Sequence, residues 1–504
     1  MPQEIRIFAP KFTTAMRKIF LSIIIAFCGL ACTAQSIDER IANAMNTGDW
    51  IALDSIYNAA PKDSIMPFLE VYSRALIGNR LNRPDVSIPA FGELLNNHST
   101  NLDLSNLLNS SVMLSMDLSK VGQNDKAAEV ITSVLDATKQ YLDSAAIAGM
   151  QRYIDQYVAL SAYNPYDISF TDQQGCIPFK IVQVGNPQKE AFLMQLDGSS
   201  INGKSATISF DTGAGVNIIS DSLARHYDLI PINAGNSVLG IGRRNGQLAI
   251  AKELKVGNIV IRDVPFLIVD LTLDNEEANQ YINCFSVVLG SDLMLRLNDL
   301  TIDFSKRQIT VPSIAPTRSG VKANMYFSPQ MNLITNGEIH NQQMQICIDT
   351  GDSSFGSLNG DFFKVNKDYV LANAQPDTVR MAGIGGVRIL ECYRLPNVQV
   401  GIGGNEVVIP HITVNTELNP LASDYECNLG LKSLMQFGKI RFNMIDFTLT
   451  TYPVELSAIV SSRRSVPTFK FTQVKPLFLD YTGIVAMSIA NGLLNVNAPN
   501  APDL

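Results

Sequence analysis

Histidine is scarce: the 504 residues hold four, His98, His226, His340 and His411, with no His-x-x-x-His or Cys-x-x-Cys pair. That spacing offers no zinc or haem ligand set, so metal catalysis is not expected and no cofactor is assigned. Charge is thin as well. Only 17% of residues are charged, acids outnumber bases 47 to 39 for a net charge of -8, and no Lys/Arg run reaches five. The electrostatic footprint of a nucleic-acid partner is therefore missing. No Gly-x-Ser-x-Gly elbow occurs, which counts against serine hydrolysis. After residue 31 no apolar run reaches eighteen residues, so no further membrane span is expected. What remains is globular material, 46% hydrophobic with mean hydropathy +0.10, in a chain long enough for about three domains.

Arg17-Lys18 precedes an apolar run from Ile19 to Ala31, followed by small residues and Gln35. This is the basic, apolar and small-residue order of a secretory signal, with Met16 as its natural start. Residues 1–34 are read as that signal. Cleavage after Ala34 makes the product exported, periplasmic or secreted. Gly29-Leu30-Ala31-Cys32 is the alternative, a lipoprotein anchored at Cys32. Cleavage after Ala34 leaves five cysteines, Cys176, Cys284, Cys347, Cys392 and Cys427, an odd number without a framework spacing, and no disulfide is assigned.

From residue 36 to 163 the apolar period is helical. Ile37, Ile41 and Met45 share a face, as do Ile131, Val134, Leu135 and Thr138. Breaks are expected at Asn46-Thr47-Gly48, Pro61, Gly78-Asn79 and Gly122-Gln123-Asn124. Helix starts at Pro89-Ala90-Phe91 and Lys126-Ala127-Ala128 resemble tetratricopeptide units at irregular spacing. Such a stack offers a groove for a protein partner or serves as packing scaffold, and the scaffold reading is preferred.

After Asn164-Pro165 the period moves towards two, with strand candidates at Phe179 to Val184 and Ala206 to Phe210 and a turn at Asn202-Gly203. An internal repeat then dominates. The first copy contains Ile208-Ser209-Phe210-Asp211-Thr212-Gly213-Ala214, Gly240-Ile241-Gly242, Val288-Leu289-Gly290 and Ile302-Asp303-Phe304. The second contains Ile346-Cys347-Ile348-Asp349-Thr350-Gly351-Asp352, Gly383-Ile384-Gly385-Gly386, Asn428-Leu429-Gly430 and Ile445-Asp446-Phe447. From the Asp of Asp-Thr-Gly to the Gly of Leu-Gly is 79 residues in one copy and 81 in the other. Two lobes of one fold, over residues 166–314 and 320–456, account for this. Asp303 and Asp446 are read as equivalent structural turn residues.

Each Asp-Thr-Gly follows an apolar strand, so each carboxylate emerges where a buried strand ends. A two-fold relation between lobes sets the two carboxylates side by side. Like charges in contact cannot both ionise readily, so such a pair shares a proton and supplies one base and one acid. That suffices to activate water and protonate an amide.

These motifs resemble the pepsin and retroviral group of aspartic peptidases, most closely the bacterial retropepsin-like proteins, over about residues 166 to 456. The resemblance implies two mainly-β acid-protease-like lobes behind an all-α, helical-repeat-like domain. It implies a catalytic dyad of Asp211 and Asp349, locked beneath by Thr212 and Thr350, with Gly213 and Gly351 making the turns. It also implies flaps at Gly240, Ile241 and Gly242 and at Gly383, Ile384, Gly385 and Gly386, closing over an extended peptide or protein substrate. Both aspartates lie on one chain, so a monomer completes the site. Two departures stand out: Asp352 replaces a small residue beside the dyad, and Asn428 replaces an apolar residue, which is expected to weaken that lobe's core. A non-catalytic two-lobed peptide-binding or scaffold protein is the alternative reading. The tail, residues 457–504, carries no motif.

Overall fold

The computed structural model describes residues 35–452 apart from 185–190, 240–242, 273–278, 280–281, 330, 384–385 and 418–424. The signal-like segment with Met16 and Cys32, and the tail from 457, lie outside the described residues.

Seven helices come first: α1 (Ile37–Asn46), α2 (Trp50–Ala59), α3 (Pro67–Arg80), α4 (Pro84–Asn97), α5 (Leu104–Lys120), α6 (Asn124–Thr138) and α7 (Ser144–Leu160). Side-chain caps start several of them. Ser36 and Glu39 exchange hydrogen bonds in a capping box, and Asp49, Asp103 and Asp143 each accept a backbone N–H of the first turn. The expected apolar faces are turned inward, with Ile41, Met45, Ile131, Val134, Leu135 and Thr138 all buried.

Two sequence expectations fail here. Gly78 and Asn79 do not break the chain, because α3 continues to Arg80. A Cβ on Gly78 would lie 2.6 Å from the Ser87 backbone nitrogen, so glycine serves the close crossing of α3 and α4. Pro89 does not start a helix either. It lies inside α4, which opens at Pro84, where a missing N–H costs nothing.

The crossing is pinned by a buried carboxylate. Asp117 Oδ2 accepts from Asn79 Nδ2 at 2.9 Å and Ser87 Oγ at 2.6 Å, and Oδ1 meets Lys120 Nζ at 2.8 Å. Asp117→Ala would strand three donors, so a loss of about 3 kcal/mol in unfolding free energy is expected. Urea denaturation checks it, and an unchanged midpoint with unchanged slope would remove this carboxylate as the tie between α3, α4 and α5.

Two β bodies follow. The first contains β1 (Asp167–Phe170), β2 (Gln174–Val184), β3 (Ala191–Ile201), β4 (Lys204–Phe210), β5 (Ile218–Ser220), β6 (Ile230–Leu239), β7 (Arg243–Val256), β8 (Ile259–Val269), β9 (Val287–Leu289), β10 (Asp299–Asp303) and β11 (Gln308–Pro312). The second contains β12 (Met325–Phe327), β13 (Leu333–Ile339), β14 (Gln342–Asp349), β15 (Gly356–Leu358), β16 (Gln375–Gly383), β17 (Gly386–Ile402), β18 (Asn405–Asn415), β19 (Cys427–Gly430), β20 (Lys439–Asn443) and β21 (Thr448–Tyr452). The two repeat one topology. In each, the strand before Asp-Thr-Gly runs parallel to a short strand (β4 to β9, β14 to β19), and that strand is antiparallel to the next (β5, β15).

The closing hairpins join the lobes. β10 pairs antiparallel with β20 about Thr301 and Arg441, putting β20 and β21 into the sheet of the first lobe. Arg441 also reaches across to Asp299 at 2.6 Å. This register corrects the expected equivalence of Asp303 and Asp446. Asp303 ends β10 opposite Gln308, and its counterpart is Asn443, which ends β20 opposite Thr448. Asp446 sits three residues later, in the turn, where it accepts from Ser319. Strand pairing, not the recurrence of Ile-Asp-Phe, sets the correspondence. Both carboxylates do hold turns, Asp303 by accepting the Lys306 N–H at 3.0 Å.

The helical domain packs on both lobes. Leu160 of α7, with Ala159 and Tyr163, covers Ile232, Leu248 and Ile250 at the base of the β6–β7 hairpin. Asn82 donates to the Met444 carbonyl at 2.9 Å, and Arg318 meets Asp85 at 3.3 Å.

Candidate active site

β4 and β14 are buried at their C-terminal ends through Ile208, Phe210, Ile346 and Ile348. The chain must turn as each strand leaves the sheet, and Asp-Thr-Gly is that turn. Asp211 Oδ1 accepts the N–H groups of Gly213 at 2.8 Å and Ala214 at 3.1 Å. Asp349 Oδ1 accepts those of Gly351 at 2.9 Å and Asp352 at 3.0 Å.

The two turns interlock. Thr212 N–H donates to Thr350 Oγ1 and Thr350 N–H to Thr212 Oγ1, both at 3.0 Å. The hydroxyls then donate onward, Thr212 to the Ile348 carbonyl at 2.7 Å and Thr350 to the Phe210 carbonyl at 2.8 Å. Both N–H groups and both hydroxyls of the threonines are used in this buried square, so each lobe is held by the other's strand end. Above it, the carboxyls of Asp211 and Asp349 come together across the junction, each beside the other turn's glycine. Glycine is required on both sides of the contact. A Cβ on Gly213 would lie 2.5 Å from Asp349 Cγ, and one on Gly351 would lie 2.3 Å from Asp211 Cγ.

Burial pushes both acids upward. For Asp211 the backbone N–H of Gly213 and the proximity of Asp349 oppose the rise, and the charge of Asp352 adds to it. Asp349 is held well above the usual carboxylate range, first by burial and then by the charges of Asp211 and Asp352, with Asn428 acting against them. The two acids form one coupled pair, and the charge of Asp352 favours keeping a proton on it.

The third acid is tied to the pair through Asn428. Asn428 Nδ2 donates to Asp349 Oδ2 and to Asp352 Oδ2, both at 3.0 Å. Asp352 Oδ1 accepts from Ser354 N–H at 2.9 Å and its hydroxyl at 2.7 Å. Asn428 is thus not the flaw in an apolar core that its sequence position suggested. It is half-buried and bridges two carboxylates where the first lobe has Val288.

The flap candidates divide. Gly240, Ile241, Gly242, Ile384 and Gly385 lie outside the described residues. Gly383 and Gly386 pair across the end of the β16–β17 hairpin, and Leu239 pairs with Arg243 across the end of β6–β7. Val387 packs on a wall of the first lobe that includes Ala214, Val216 and Ile218, so the second hairpin reaches over to the opposite lobe beside the aspartates.

Sequence reading missed Asn428 as a ligand of Asp349, and it missed Asn217 and Tyr166 altogether. Buried Asn217 accepts the Gly290 N–H at 3.0 Å and donates to the Pro265 carbonyl and the Tyr166 hydroxyl, bracing the strand after the first Asp-Thr-Gly. One signal was available for Asn428: Asp352 and Asn428 are both polar at places where the first copy has Ala214 and Val288. The five cysteines after residue 34 are all free thiols.

Residues 199–293 match the family model described as aspartyl protease. The match spans the first Asp-Thr-Gly, its hairpin and Val288-Leu289-Gly290, so the chain contains a domain similar to aspartyl proteases, which supports a protease-type function. Comparison with curated proteins finds no match.

Proposed function

We propose that this chain is an exported aspartic endopeptidase of the retropepsin-like type, periplasmic or secreted, with Asp211 and Asp349 as its catalytic dyad. The carrying observation is the reciprocal Thr212–Thr350 bonding, which holds the two carboxyls against the opposite turns at the junction of two lobes. In this reading Asp211 takes a proton from water as the oxygen attacks the peptide carbonyl carbon, and Asp349 gives its proton to the carbonyl oxygen. The tetrahedral intermediate then collapses, with Asp211 giving its proton to the leaving amine and Asp349 taking one back from a hydroxyl of the diol, which restores the starting state of the pair. An extended peptide or protein substrate lies between the dyad and the β6–β7 and β16–β17 hairpins. One chain completes the site. The helical domain over 36–163, tetratricopeptide-like in outline, acts as scaffold, in keeping with α7 covering the base of the first hairpin.

The test is cleavage of a mixed peptide library by residues 36–504 between pH 3 and 7, with a statine-type inhibitor that mimics the tetrahedral intermediate. Inhibitor-sensitive internal cleavage is expected. A folded chain that cuts nothing across that range would move the protein to the peptide-binding reading.

A further inference from the structure

The two lobes differ beside the dyad at two positions that touch each other. Ala214 and Asp352 are counterparts, since each carbonyl accepts the N–H that follows the lobe's Leu-Gly, from Ser291 and Leu431, at 2.8 Å. Val288 and Asn428 are counterparts in the strand register. Either change alone is costly. A third carboxylate beside the pair disfavours ionisation of Asp211 and Asp349, and an amide in an apolar strand needs partners for its hydrogens. Together they satisfy the amide hydrogens, because the Asn428 amide has two and the two carboxylates take one each.

We propose that Asn428 is a positioning residue for the dyad and that Asp352 and Asn428 form one coupled device: Asp352 anchors the amide, and the amide fixes Oδ2 of Asp349 and offsets the added negative charge. This rests on the peptidase reading above. The device makes two otherwise equivalent aspartates unequal, since Asp349 gains a third donor that Asp211 lacks.

The other titratable groups on β14, on β19 and just beyond do not supply this control. Cys347 on β14 and Cys427 on β19 are neutral thiols pushed upward by burial. Glu426 is also pushed up by burial and accepts the Gln345 N–H. Lys432, just beyond β19, places its ammonium over the rings of Phe192 and Phe355. Asp211 and Asp352 remain as the charges to be balanced.

The experiment copies the first lobe into the second. Asn428→Val is expected to lower kcat at least tenfold with little change in KM, and to move the alkaline limb of the pH profile to higher pH. The sign follows because Asp349 loses a donor that favours its ionised form. Adding Asp352→Ala to that variant should recover most of kcat and bring the limb back. Loss of rate with no movement of the limb, or a double variant no better than Asn428→Val, would overturn the proposal. If the native chain cleaves nothing, the peptidase reading fails separately, and the coupling is read from thermal unfolding of the four forms at pH 7. Non-additive midpoints with rescue in the double variant would keep the coupled device, and additive midpoints would end it.

Discussion

Asp211→Asn is expected to reduce peptide hydrolysis about ten-thousandfold or more while making the fold more stable at neutral pH. The rate falls because the asparagine amide cannot take a proton from water, and groups that act as a unit lose nearly everything when one is removed. The stability gain follows from the carboxyls' environment. Both aspartates sit above their unfolded values when folded, chiefly through burial. For such a group the favourable contribution is complete below the unfolded pKa of about 4 and is lost as pH rises towards the folded value. The amide escapes that loss, can still accept the Gly213 and Ala214 N–H groups through its oxygen, and can donate to Asp349. A gain of about 1 kcal/mol at pH 7 that vanishes near pH 3 is therefore expected. Hydrolysis assays and thermal unfolding at the two pH values check it. Undiminished cleavage would exclude the dyad, and equal stability change at both pH values would exclude the electrostatic account.

Thr212→Val is expected to loosen the junction of the lobes. Valine keeps the shape of threonine but deletes the hydroxyl that donates to the Ile348 carbonyl and accepts the Thr350 N–H. Both stranded backbone groups are buried, so a loss of about 3 kcal/mol in unfolding free energy is expected, with at least a tenfold fall in kcat as the carboxyls lose alignment. Thr350→Val should match it, because the bonding is reciprocal. The double variant should cost less than the sum, since the two residues share one network. Urea denaturation with parallel kinetics measures this. A change below about 0.5 kcal/mol in either single variant would show that other contacts hold the lobes.

The helical and β regions were legible because apolar period is a local property. Errors arose where a residue answers to something distant. Gly78 reads as a breaker by composition, yet it is needed where Ser87 of the next helix presses against it. Ile-Asp-Phe recurs in both copies, yet the registers of the two closing hairpins make Asn443, not Asp446, the counterpart of Asp303. Asn428 reads as a flaw in a strand until Asp349 and Asp352 are seen on either side of its amide.

The sequence by itself determined that two copies of one unit follow a helical region, and that Asp211 corresponds to Asp349. Order and spacing along a chain survive without coordinates. Only the tertiary structure decided that these carboxyls touch, that two threonines tie the lobes beneath them, and that Asn428 links the third acid to the pair. Each of those contacts joins residues 76 to 140 positions apart, and hydrogen-bond geometry at that separation is set by how the sheets pack, which no local pattern encodes.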